Sequence, residues 1–185
     1  RTLYYDGAAV RAFALRHWLL GGSAALWLIT LPRIDLDAMS GLGLLSVMPL
    51  TGYLALGLLT ASFVRSLARG SGAAEMAVHL GLLIFILHAT MPLLAGTVRY
   101  SWAWKHLGIV DYIQRYGVVD PEIAVMDVYH NWPSGFTFAA FLTEIAGFET
   151  AASFAAWAPV VFNVLFVAAL VMIVSSLTSN RRIVW

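Results

Sequence analysis

Residues 76–96 read MAVHLGLLIFILHATMPLLAG, an apolar run that contains no Asp, Glu, Lys or Arg. As a helix, these 21 residues would measure about 31 Å at 1.5 Å per residue, which matches a hydrocarbon core of about 30 Å. The run therefore predicts a helix that crosses a lipid bilayer.

The composition of the whole chain also indicates a membrane protein. Of its 185 residues, 61% are hydrophobic and 11% are charged, and the mean hydropathy is +0.81. A soluble domain usually carries about 25% charged residues. Three further apolar segments are long enough to cross a bilayer, at residues 13–31, 41–64 and 151–177.

Prolines and small or polar residues mark special positions within these spans. We expect Pro49 and Gly52 to kink the second span and Pro159 to kink the fourth. Gly52 and Gly57 would also let a neighbouring helix approach closely, and Asn163 would hydrogen-bond to another helix.

Two further helices are expected to lie along the membrane surface. Residues 134–148 are apolar but number only 15 and include Glu144, so they are too short and too polar to cross. Residues 102–116 have an apolar side made of Trp102, Leu107, Ile109, Val110 and Ile113. Their water-facing side would carry Lys105, His106, Asp111, Gln114 and Arg115. We expect Gly117 to end this helix and Asp120-Pro121 to start a turn.

The predicted fold class is thus all-α, a polytopic transmembrane protein with about four spanning helices and two interfacial amphipathic helices in an outer loop. The face holding the chain ends and residues 65–75 would carry seven basic and two acidic residues, whereas the other would carry four and eight. Because basic residues favour the cytoplasmic face, we expect a multi-pass protein of the plasma (inner) membrane with cytoplasmic termini. Residues 97–150 would lie on the outer face.

Charge and terminal residues bound the remaining classes. The net charge is +1 and the eleven basic residues form no dense cluster, which argues against nucleic acid as a partner. Cysteine is absent, so thiolate chemistry is excluded. The sequence begins at Arg1 and stops at Trp185, just after a span and a basic pair, and we expect a piece of a longer chain.

Residues 127–133, DVYHNWP, form the densest polar and aromatic cluster of the chain. Aromatic rings alone are typical of a headgroup belt. The carboxylate of Asp127 and the imidazole of His130 could also pair as acid and base, hold a divalent metal, or bind a pyrophosphate through a cation. Haem is not expected, because His79 and His88 lie nine positions apart and so on opposite faces of their helix.

From residue 76 to 185 the order of elements resembles the first module of GT-C glycosyltransferases of the protein O-mannosyltransferase and aminoarabinose-transferase type. The resemblance rests on DYIQRYG at residues 111–117, on the acid and His-Pro element at 127–133, and on the apolar segments 136–147 and 151–182 that follow. It implies transfer of a sugar from a polyprenyl-phosphate donor on the outer face of the membrane. Residues 1–75 would be two additional transmembrane helices.

The resemblance also implies roles for individual residues. The acidic pair that the family carries after its first span has no counterpart in residues 97–105. The expected catalytic residues are therefore Asp127, Asp111 and His130, with Asp127 and His130 also the candidates for any metal. Substrate and phosphate would be bound by Arg99, Lys105, His106, Arg115, Tyr129, Asn131 and Trp132.

A non-enzymatic alternative stays open. The chain could be a membrane subunit or assembly factor whose outer loop docks a partner protein, with the carboxylates forming a solvated face. Both alternatives share the lipid bilayer as the surrounding medium.

Overall fold

The computed structural model describes residues 7–120, 122–123 and 127–185, with side chains from residue 17 onward. The protein is all-helical, with 75% helix and no strand among these residues, which confirms the predicted class. It divides into two compact units, one formed by residues 1–90 with 160–185 and the other by residues 91–159.

The helices follow one another with short connections. In chain order they are α1 Gly7–Thr30, α2 Leu50–Ala68, α3 Ala73–Ile84, α4 Thr90–Ala95, α5 Ser101–Tyr116, α6 Asp127–Asn131, α7 Ser134–Ile145, α8 Ala152–Ala155, α9 Ala158–Leu177 and α10 Arg181–Val184. A π-helical turn, Phe85–Ala89, joins α3 to α4, and short 3₁₀ turns occupy Leu31–Arg33 and Gly43–Ser46.

Three helices among the described residues are long and apolar enough to cross a membrane: Leu50–Ala68, Ala73–Ala95 and Ala158–Leu177. They confirm a multi-pass membrane protein at this level. Helix α1 covers the predicted first span, but part of its side chains lies outside the described residues. The fourth crossing and the interfacial position of α5 and α7 therefore stay predictions.

The structure corrects the predicted role of two prolines. Pro49 is extended, with φ −63° and ψ 157°, and directly precedes α2; Pro159 is the second residue of α9. Both start a helix instead of kinking one, because a residue without an N–H costs least in the first helical turn. The second and fourth spans consequently begin at Leu50 and Ala158, later than the predicted residues 41 and 151.

The π-helical turn within the third apolar helix was not predicted. Pro92 cannot donate a hydrogen bond to the carbonyl four residues earlier, that of His88, and its ring crowds this oxygen. A wider turn just before the proline relieves this crowding. The interruption leaves the helix Ala73–Ala95 long enough to span.

Helices α1 and α2 pack closely through small and hydroxyl-bearing residues. The hydroxyl of Ser23 donates to the carbonyl of Ala55 at 2.7 Å, and the hydroxyls of Thr30 and Thr51 lie 2.8 Å apart. A Cβ on Gly52 would overlap Met48 and come within 3.2 Å of Thr30, whereas one on Gly57 would meet nothing within 4 Å. Close packing at Gly52 is thus confirmed, and that at Gly57 is wrong.

The second unit is built around α5 and α7. Their apolar faces bury Ile109, Val110, Ile113 and Ala140, together with Ala151 just before α8. Gly117 ends α5 in the left-handed region at φ 67°, as predicted, and Gly147 follows α7 at φ 68°. Only glycine adopts this backbone without steric cost. This small core positions the polar segment between the two helices.

Candidate functional site

His130 is the centre of a polar group in the second unit. It lies on the short helix α6 and is only 4% exposed. Its Nδ1 accepts a hydrogen bond from the backbone N–H of Asp120 at 3.0 Å, and the ring of Tyr112 meets it edge-on with centroids 5.2 Å apart. The imidazole thereby ties α6 to α5 and to the turn at Asp120.

Tyr112 and Asp120 complete this group. The phenol of Tyr112 donates to the carboxylate of Asp120 at 3.4 Å. Partial desolvation of the phenol, followed by the negative charge of Asp120, raises the pKa of Tyr112 above its ordinary value. The tyrosine therefore stays a neutral donor over a wider pH range than a free one.

Asp127, three positions before His130, is exposed at the start of α6. Its carboxylate accepts the N–H of Val128 at 2.7 Å, and its backbone carbonyl accepts the side chain of Asn131 at 3.1 Å. No hydrogen bond joins Asp127 to His130, although both residues are described. The acid and imidazole are neighbours on one helix with different partners.

Asp111, the other predicted base, forms an ion pair with Arg115. The Nε of Arg115 lies 2.9 Å from Oδ2 of Asp111, with side-chain exposures of 70% and 48%. The pair is one helical turn apart on α5, a spacing at which oppositely charged residues meet. Its net contribution to stability at such exposure is about 0.3–0.5 kcal/mol. A predicted base and a predicted phosphate ligand thus neutralise each other.

The other predicted cations lie near the start of α5. Arg99 precedes this helix and is exposed, and the ammonium of Lys105 sits 4.0 Å from the centre of the Trp102 ring. Such contacts between a cation and an aromatic face stabilise by about 0.5–1 kcal/mol at exposed sites. Arg99 and Lys105 are accordingly the basic residues of this segment that carry no carboxylate partner.

Two of the predicted faces of α5 need correction. His106, expected to face water, packs against Tyr129 and Phe136, with ring centroids 5.0 and 5.6 Å away. Trp102, expected on the apolar side, is 59% exposed, outside the cluster that Ile109 and Val110 enter. An imidazole of intermediate polarity packs well on aromatic edges, and this contact outweighs its exposure to water.

The remaining predicted binding residues lie on or beside α6. Tyr129 is partly buried in the aromatic cluster with His106 and Phe136. Asn131 is exposed, and Trp132 is 79% exposed. Of the predicted residues, the structure therefore joins His106 to Tyr129 and Asp111 to Arg115, and it leaves Asp127 and Trp132 facing outward.

A metal centre has little support from this geometry. Among the residues that the structure describes, no three His, Asp or Glu side chains lie close enough together to hold a metal ion. Asp127 and His130 supply two potential ligands, but their hydrogen-bond partners lie in different directions along the chain.

The role of Asp120 was missed by sequence reasoning. The Asp120-Pro121 pair predicted a turn, and Oδ1 of Asp120 accepts the N–H of Glu122 at 3.0 Å; Pro121 itself lies outside the described residues. The contact of Asp120 with His130 spans ten residues, so no local pattern shows it.

Comparisons of the chain with protein-family models, with curated proteins and with solved structures found no match. Function must accordingly be argued from the site itself.

Proposed function

We propose that the protein acts as a membrane glycosyltransferase-like protein that transfers a sugar from a polyprenyl-phosphate donor at the outer face of the plasma membrane. The observation that carries the proposal is the exposed carboxylate of Asp127 on α6, a helix fixed from behind by the buried His130. Such an arrangement presents a free base on a rigid support.

Asp127 is the better of the two candidate bases. Asp111 is paired with Arg115, which favours its charged form and lowers its tendency to accept a proton. Asp127 takes one printed hydrogen bond, from the adjacent Val128 N–H, and faces outward. In the proposed reaction it would remove the proton from the acceptor hydroxyl. The hydroxyl oxygen then forms a bond to the anomeric carbon while the sugar–phosphate bond breaks and polyprenyl phosphate leaves.

The phosphate of such a donor has to stay at the water boundary, since moving it into hydrocarbon costs many kcal/mol. Arg99 and Lys105, both exposed, supply positive charge at the start of α5, and Arg99 could bind the phosphate with two hydrogen bonds. The apolar helices Ala73–Ala95 and Ala158–Leu177 flank this segment in sequence. In this proposal residues 97–150 lie against the lipid headgroups, and His130 acts as a positioning residue.

The test compares Asp127→Asn with Asp111→Asn in the native full-length protein, reconstituted in liposomes. We expect the Asp127 variant to lose about 100-fold or more of its activity, the typical contribution of a general base. Asp111→Asn should keep most of the activity. The assay measures release of polyprenyl phosphate from a panel of polyprenyl-phosphate pentoses and hexoses. Full activity of the Asp127→Asn protein would reject the assignment.

The second candidate function is a non-enzymatic membrane subunit or assembly factor whose outer segment docks a partner protein. It is favoured by exposed aromatic side chains in this segment, with Trp102 59%, Tyr116 64% and Trp132 79% exposed. Aromatic residues are enriched where proteins bind one another. In that case Trp132→Ala would weaken the complex, Asp127→Asn would leave it intact, and the protein would not bind polyprenyl phosphates.

A further inference from the structure

A cleft of about 350 Å³ lies in the unit formed by residues 1–90 and 160–185. Its walls come from the end of α2 and the following turn, from the first turn of α3, and from residues 180–185 after α9. Each of these segments adjoins an end of one of the three apolar helices. The cleft therefore sits where three candidate spans meet the membrane boundary.

Arginines dominate the charge of this cleft. Arg69, Arg181 and Arg182 all contribute to its lining, and no ion pair engages any of them within the part of the chain that the structure describes. Guanidinium groups collected in one cleft repel one another. An anion placed between them would remove this repulsion and form charge-assisted hydrogen bonds.

The acidic residue beside the cleft is held by other groups. Glu75 lies on the first turn of α3, and its Oε1 accepts hydrogen bonds from the hydroxyls of Ser66 at 2.7 Å and Ser71 at 2.9 Å. Two donors on one oxygen stabilise the carboxylate where it stands. Glu75 does not line the cleft, whereas Ser71 does.

The segment after α9 is folded over the cleft. The side chain of Asn180 accepts the backbone N–H of Arg182 at 3.1 Å, which starts the short helix α10. This turn places Trp185 in the lining together with the two arginines. Tryptophan favours the headgroup layer, where one side of the indole is apolar and its N–H is hydrated.

We propose that this cleft binds the phosphodiester headgroup of an anionic phospholipid. Basic pockets between transmembrane helices are suited to such headgroups. A lipid fits better than free phosphate because Leu67 and Met76 give the cleft an apolar part and because α9 offers a largely uncovered apolar surface, with 6% of its apolar window buried. Acyl chains can lie along that surface while the phosphate contacts the arginines. The site is separate from the residues proposed for sugar transfer.

The experiment is native mass spectrometry of the intact chain in neutral detergent, supplied with equal amounts of phosphatidylglycerol and phosphatidylcholine. We expect preferential retention of phosphatidylglycerol, weakened about tenfold by Arg181→Gln, as for the loss of one charge-assisted hydrogen bond. The matched control is Arg33→Gln, which removes the same charge from an exposed arginine that does not line the cleft. It should leave the preference unchanged.

Further arms separate the alternatives. Arg181→Lys keeps the charge but loses the paired donors, so a partial loss is expected even if Arg181→Gln fails to fold. Equal retention of the two lipids, or equal loss in Arg33→Gln and Arg181→Gln, would overturn the proposal. Complete displacement of phosphatidylglycerol by inorganic phosphate would show a free-phosphate site instead. Because none of these residues belongs to the proposed transferase site, this outcome is independent of the Asp127 test.

Discussion

Buried histidines at the scale of single residues are held by fully matched hydrogen bonds. The Nδ1 of His79 lies 2.7 Å from the carbonyl of Glu75, and its Nε2 lies 2.8 Å from the hydroxyl of Ser62. A carbonyl can only accept, so Nδ1 donates and Nε2 accepts from the serine. With both ring nitrogens satisfied, a polar residue is stable inside an apolar helix, which favours a packing role for His79.

Tyr112 gives a residue-scale prediction about pH. Replacing Asp120 by Asn removes the negative charge beside the phenol, so the pKa of Tyr112 should fall toward its ordinary value of about 10. The measurement is the ultraviolet absorbance of tyrosinate as a function of pH, with Tyr112→Phe identifying the signal of this residue.

The same shift has a consequence for stability. A pKa that is higher in the folded than in the unfolded state contributes stability that is fully present below the unfolded value and is lost as pH rises through the folded one. The difference in unfolding free energy between the wild type and Tyr112→Phe should therefore change only above pH of about 10. Glu122→Gln, an exposed control, should not shift the titration. An unchanged titration in Asp120→Asn would contradict the role of its charge.

At the scale of helices, the packing of α1 on α2 depends on Gly52. Replacing Gly52 by Val would force its side chain against Met48 and Thr30. We expect a loss of about 1–3 kcal/mol in unfolding free energy, as for other overpacked sites, measured by titration with sodium dodecyl sulfate in mixed micelles. The control is Gly57→Val on the same helix, where nothing lies within 4 Å. Equal losses in both variants would mean that helix propensity, rather than packing, sets the cost.

How well the sequence predicted each helix depended on what interrupts the apolar run. Residues 76–96 contain no charge, and the helix Ala73–Ala95 agrees with their prediction closely. The starts of α2 and α9 were misplaced because an apolar run continues across Pro49 and Pro159, and hydropathy alone does not register a missing N–H. Gly117 was placed correctly, since a glycine after an amphipathic run commonly ends a helix.

The candidate site was less predictable for a different reason. Local spacing indicated that Asp127 and His130 are close in the chain, but a side chain takes whichever partner the fold brings to it. For His130 that partner is the N–H of Asp120, ten residues away. The pairing of Asp111 with Arg115, by contrast, follows from their spacing on a helix, and could have been predicted from the sequence.

At the scale of the whole molecule, orientation in the membrane is the property on which the proposed function depends. The chain has no native cysteine, so single cysteines can be introduced at exposed Ser101 and Ser179. We expect a membrane-impermeant maleimide to label Ser101→Cys in intact cells and Ser179→Cys only after lysis, because basic residues concentrate near the latter. The reverse pattern would place residues 97–150 in the cytoplasm and reject the proposed donor site.

Helices α2 and α9 differ in a way that bears on how the chain is made. Helix α9 has a mean hydropathy of 2.6, against 1.3 for α2, whose Ser62 and Ser66 are buried against neighbouring helices. During synthesis, α9 can leave the translocon for lipid by itself, whereas α2 gains from a partner that shields its hydroxyls. Membrane integration of α2 is therefore coupled to the helices made just before and after it.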